Sequence, residues 1–156
     1  MRQAAVSAPG SLMLFGEHAV LHGEPALVCA IHRRLRVAAR TRLDGQVLLR
    51  SALGDLRFPA STCPEDHRFA FVLEALRVAG IPSEGLELRI QSDFSSKIGF
   101  GSSAAVTVAT LAVLDRLHAR RLIRRSLFCR AREVIRKVQG VGSGADAAAS
   151  VWGGAL

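Results

Sequence analysis

A chain of 156 residues, 49% of them hydrophobic, holds enough apolar material for one domain core, and single domains cluster at roughly 100–150 residues. The formal net charge of +8 rests on arginine, with Lys97 and Lys137 as the only lysines; it raises nucleic-acid binding, yet 5% aromatics and no tyrosine leave no base-stacking pattern. No apolar run reaches the ~18 residues of a membrane helix, no signal-peptide core is present, and Cys29, Cys63 and Cys129 lack metal-ligand spacing and fit a reduced, cytoplasmic protein.

In chain order, Met1-Arg2-Gln3-Ala4 leads directly into a strand. Alternating apolar positions over Leu12–Phe15 and Ala26–Ala39 predict early strands, separated by a turn at Gly23-Glu24-Pro25. Val47–Ser51 and Leu53–Phe58 read as a hairpin around Gly54-Asp55. Phe69–Ala79 has helical spacing of Phe71, Leu73, Leu76 and Val78, and stops at Gly80-Ile81-Pro82. Leu86–Ile90 alternates apolar and charged residues as a half-exposed strand does. A glycine loop then opens a helix running through His118, and a second helix spans Ser126 to Val138. Strands first, then strand and helix in alternation, predict an α+β domain of two layers.

The richest stretch is Lys97-Ile98-Gly99-Phe100-Gly101-Ser102-Ser103-Ala104-Ala105. Two glycines one residue apart let the backbone turn and approach a ligand closely. The serines fall in the first helical turn, where unpaired N–H groups and the positive end of the dipole attract anions, above all phosphate. The spacing matches neither the Walker loop nor the dinucleotide fingerprint. A serine-capped helix after a glycine turn is the plainer alternative.

Two more segments stand in the same chain: Ala8-Pro9-Gly10-Ser11, continuing to Gly16-Glu17-His18-Ala19-Val20, and Gly142-Ser143-Gly144-Ala145-Asp146. In their order and content the three segments resemble the motifs of the GHMP kinases, and within that family mevalonate and phosphomevalonate kinases most closely. The resemblance implies an N-terminal domain whose fold resembles a ribosomal small-subunit protein domain, here over residues 1–156. It also implies a second, C-terminal domain carrying a third glycine-rich motif; the chain reads as the N-terminal part of a kinase. The activity implied is ATP- and Mg²⁺-dependent phosphoryl transfer to the hydroxyl of a small molecule, as in isoprenoid biosynthesis. No nucleic acid or membrane partner is implied, and a homodimer is allowed.

Residue by residue, the N–H groups of Gly99, Gly101, Ser102, Ser103 and Ala104 are the natural phosphate cradle, with Lys97 either adding charge or solvated. Asp146 is either the carboxylate that takes the acceptor's proton or a helix cap. By resemblance, Ser103 and Glu133 would hold the metal, although Glu133 stands two residues further from the aspartate than its counterpart in mevalonate kinase. Glu17 and His18 would contact the phosphoryl acceptor, with Ser11, Ser143 and Gly144 beside it, whereas His22 and His32 are structural. At position 11 the family carries a cation paired with the aspartate, and a serine cannot replace its charge. That departure keeps open a non-catalytic nucleotide- or ligand-binding role; an arginine-rich nucleic-acid-binding domain is the weaker third reading.

Overall fold

The computed structural model describes residues 1–95 and 99–156. Strands β1 (Gln3–Phe15), β2 (Leu27–Thr41), β3 (Gln46–Ser51), β4 (Gly54–Pro59) and β5 (Leu86–Ser92) form one sheet in the order β1-β2-β5-β3-β4. Only the β3–β5 pairing is parallel. Helices α1 (Ala70–Ala79), α2 (Ser102–Leu117), α3 (Arg124–Gln139) and α4 (Ala145–Trp152) complete the second layer, as the α+β expectation required. Short 3₁₀ turns occupy Ala19–His22 and His67–Phe69.

Alternation along the strands decides which sheet face is buried. Leu35, Val37 and Ala39 on β2, Val47 and Leu49 on β3, and Leu86 and Leu88 on β5 turn toward the helices and are almost wholly buried. Helix α2 crosses β1 and β2 and is buried on nearly every side, which explains its run of Ala, Val, Thr and Leu without an exposed stripe. Helix α3, by contrast, buries only Leu127, Ala131, Val134 and Ile135 and turns its arginines outward, apart from Arg130, which pairs with Asp115 of α2. No described helix is long and apolar enough to cross a membrane.

Two expectations needed adjustment. The strand entered directly after Met1-Arg2-Gln3-Ala4 and the one expected over Leu12–Phe15 are a single element, β1, in which the small residues Ala4, Val6 and Ala8 pair with Ala39, Val37 and Leu35. The hairpin turns at Ala52-Leu53, since Ser51 pairs with Gly54, and Gly54 already opens β4. The Leu53 N–H donates to Ser51 Oγ across this turn at 3.0 Å.

The sheet face away from the helices carries Arg40, Arg42, Arg50 and Arg89 around one carboxylate, Glu87, which is 1% exposed. Arg40 Nε donates to it at 2.6 Å and Arg89 Nε at 2.9 Å. Burial alone would raise the Glu87 carboxyl, but the hydrogen bonds from Arg89 and Arg40 and their charges outweigh it and hold the group below its ordinary value of 4.5. A value depressed on folding contributes stability above the ordinary value and loses it as pH falls through the folded one. Glu87→Gln should therefore cost about 1.5–3 kcal/mol at pH 7, the worth of hydrogen bonds to a charged group. In urea titrations that difference should shrink as pH drops below 4.5; an equal difference at pH 7 and pH 3 would show that the carboxylate charge is not its source.

Candidate functional site

The three sequence motifs meet at an irregularity in β1. The pairing of β1 with β2 shifts register between Pro9 and Ser11, and Gly10 sits in the shift. There the glycine loop passes over β1: a Cβ on Gly10 would lie 2.7 Å from the Phe100 carbonyl oxygen and 2.9 Å from the Phe94 ring. Only a hydrogen at that position permits the approach. The Ser11 N–H donates to the Phe100 carbonyl at 3.0 Å, and Ser150 Oγ of α4 donates to the Pro9 carbonyl at 3.0 Å. The strand thus holds the glycine loop from one residue and α4 from another.

Gly101 takes the cap position of α2 in the left-handed conformation, φ +63°, and no side chain caps this end. The serine-capped alternative is therefore not what the chain adopts. Ser102 and Ser103 form the first turn, and the Thr107 hydroxyl donates to the Ser103 carbonyl at 2.7 Å. The first-turn N–H groups are left facing outward, with the positive end of the helix dipole. Ser102 and Ser103 line a cavity of about 930 Å³ that runs beneath Phe69, Phe71 and Val72 to Leu53 in the β3–β4 turn. That far wall escaped the sequence reading, in which Phe71 was an ordinary core position of a helix.

Asp146 stands in the first turn of α4, behind the loop Ser143-Gly144. The Ala145 N–H donates to Ser143 Oγ at 3.2 Å and shapes the loop. Gly144, not Asp146, holds the cap position, and no side chain caps α4. The Asp146 carboxylate instead accepts a hydrogen bond from Ser11 Oγ at 2.7 Å. Ser11 Oγ in turn abuts Gly101, where an added Cβ would come within 2.0 Å of it. One hydroxyl therefore touches both the glycine loop and the carboxylate. Close by, the stem of Arg132 and the ring of Phe128 lie against Gly144, and Phe128 packs on Trp152 with centroids 5.2 Å apart.

The remaining predicted residues are more scattered. Glu17 and His18 are exposed in the turn after β1, and no described hydrogen bond or ion pair joins them to Asp146. Glu133 is exposed on α3, while Ile135, two positions on, is buried and reaches toward Gly142. Residues two apart on a helix face about 200° away from each other, so Glu133 is turned from the loop that bears Asp146. Among the described residues no group of three or more His, Cys, Asp or Glu could hold a metal ion. Lys97 lies outside the described residues.

The GHMP kinases N-terminal domain model matches residues 68–154, more than half of the chain, and a galactokinase galactose-binding signature matches residues 2–41. The chain belongs to the GHMP kinase family. It is 39% identical over 152 residues to a mevalonate kinase of Archaeoglobus fulgidus, covering 95% of this chain and 50% of that one. To a mevalonate kinase of Methanothermobacter thermautotrophicus it is 36% identical over 152 residues, covering 97% and 49%. Among solved structures, the mevalonate kinase of Methanococcus jannaschii superposes with a TM-score of 0.88 at 23% identity, over 99% of this chain and 52% of that one. A phosphomevalonate kinase of Streptococcus pneumoniae, in complex with phosphomevalonate and AMPPNP, superposes at 0.77 and 24% identity, over 95% and 47%. These likenesses establish the fold, and the chain spans about half the length of the relatives it matches.

Gly101→Ala is expected to cost more than the ~1–2 kcal/mol of a left-handed non-glycine residue, because the new methyl collides with Ser11. In urea unfolding, Ser11→Gly should relieve that collision, leaving the double variant more stable than the sum of the single changes predicts. Strict additivity would mean that the two residues do not press on one another.

Proposed function

We propose that the chain carries the nucleotide-binding half of an ATP-dependent small-molecule kinase that phosphorylates a hydroxyl of mevalonate or a close chemical relative. The observation that carries this reading is the hydroxyl of Ser11, which joins Asp146 to Gly101 at the uncapped start of α2. The N–H groups of Gly101, Ser102, Ser103 and Ala104, extended by Gly99 and by Lys97, hold the phosphates of the donor. The rest of the nucleotide extends into the cavity under Phe69 and Phe71. Support for the substrate class comes from relatives named mevalonate kinase at 39% and 36% identity. The three cysteines are all unpaired, in keeping with a cytoplasmic reaction.

Phosphoryl transfer asks the protein chiefly for position and for neutralised charge. Ser103 is the side chain that would hold Mg²⁺, which when bound would supply charge neutralisation at the phosphates. Asp146 accepts the proton of the acceptor hydroxyl on the oxygen that Ser11 does not occupy. Ser143 and Gly144 shape the acceptor's side of the site, and Glu17 and His18 contact the acceptor. A second reading, a nucleotide-binding protein without turnover, draws on the neutral residue at position 11.

Ser103→Ala should weaken binding of Mg²⁺ with AMPPNP in calorimetric titration, while the unfolding midpoint changes little; unchanged affinity would remove the α2 terminus from the nucleotide site. Asp146→Asn keeps the shape and removes the proton acceptor. Its kcat in phosphotransfer assays of the protein should fall by about 10²–10⁴ with little change in the KM for ATP, the pattern of an interaction made in the transition state. A complete enzyme carrying this half that binds nucleotide yet transfers nothing to any mevalonate-like alcohol would favour the second reading.

A further inference from the structure

Ser11 is completely buried, and its surroundings leave its hydroxyl a single arrangement. Its N–H is bonded to the Phe100 carbonyl at 3.0 Å, its Oγ presses on Gly101, and it sits in the register shift of β1. A hydroxyl has one proton to donate, and this one goes to Asp146 Oδ1 at 2.7 Å. Among the described residues no ion pair includes Asp146, so a neutral donor is the side chain that orients it.

We propose that Ser11 is the positioning residue of this site. Its hydroxyl fixes the rotation of the Asp146 carboxylate, pins one oxygen and leaves the other toward the acceptor. A cation at this position would do two things at once, aim the carboxylate and offset phosphate charge; Ser11 does the first alone. The aim is transmitted from the strand, because the same residue is anchored to the glycine loop by its backbone. Any shift of the loop over β1 therefore turns the carboxylate with it. The catalytic part of this assignment rests on the phosphotransfer reading above, while the orienting part does not.

Two measurements separate these parts. The first follows the order of the Asp146 methylene by NMR relaxation in the 156-residue chain, and needs no activity. Ser11→Ala should mobilise that methylene, and Ser11→Thr, which keeps the hydroxyl, should preserve its order. The second is kinetic: Ser11→Ala should lower kcat about 10–100-fold, as expected for a lost hydrogen bond to a charged group, with the KM for ATP nearly constant. Ser11→Thr should recover most of that loss, and adding Ser11→Ala to Asp146→Asn should change little further. An Asp146 that stays ordered in Ser11→Ala, or kinetic effects that simply add, would overturn the proposal. Loss of order without any turnover in the complete enzyme that carries this half would uphold the orienting role and reject the kinase reading instead.

Discussion

Everything at the candidate site depends on one close approach, the passage of the Phe100 carbonyl over Gly10. The register shift in β1 falls at Gly10, and Ser11, the next residue to pair with β2, gives its N–H to that carbonyl. Once the two backbones are joined there, α2 must start beside Ser11, and α4, bonded to Pro9 through Ser150, must start on its other side. Segments 90 and 135 residues away in sequence are thus brought to one point by backbone geometry, without reliance on long side chains. The outcome is positional precision: short side chains and backbone groups have few rotamers to lose on ordering.

The charge of the molecule is organised separately from the site. Arginines cover the outer sheet face and the outer side of α3. Glu87 under Arg40 and Arg89 is the exception that makes the arrangement specific, since a buried carboxylate tolerates few geometries. Asp115, buried and paired with Arg130, plays the same part between α2 and α3. With Glu74, buried and paired with Arg77 and Lys137, the basic composition therefore reflects solvated faces around three buried carboxylates among the described residues more than any single stripe along a groove.

Much of the fold was legible because it followed period and punctuation. The α3 pattern, the half-exposed β5 and the glycine stop after α1 all announced themselves within two residues of their observed limits. The start of β1 also showed, but not its continuity to Phe15, since small residues weaken the alternation on which a strand assignment depends, and Gly54 reads as a turn centre although it opens a strand. At the site, the glycine loop and Asp146 were readable from their motifs. The bond from Ser11 to Asp146 was not: a serine after Ala-Pro-Gly looked like the loss of a partner, and only the fold shows that it keeps the contact while giving up the charge. The cavity wall was hidden for a similar reason, as Phe71 obeys the spacing of a core residue whether or not space opens beside it.

The packing of Phe128 on Trp152 has an optical meaning. Trp152 is the only tryptophan and the chain has no tyrosine, so absorption at long ultraviolet wavelengths and the emission that follows come from that one indole. It lies at the far end of the eight-residue helix that begins beside Asp146, half-exposed and in contact with the ring that also touches Gly144. The molecule therefore emits from the corner where α3 meets α4. Its colour and polarisation follow the solvent exposure and rigidity of that corner with no background from elsewhere in the chain.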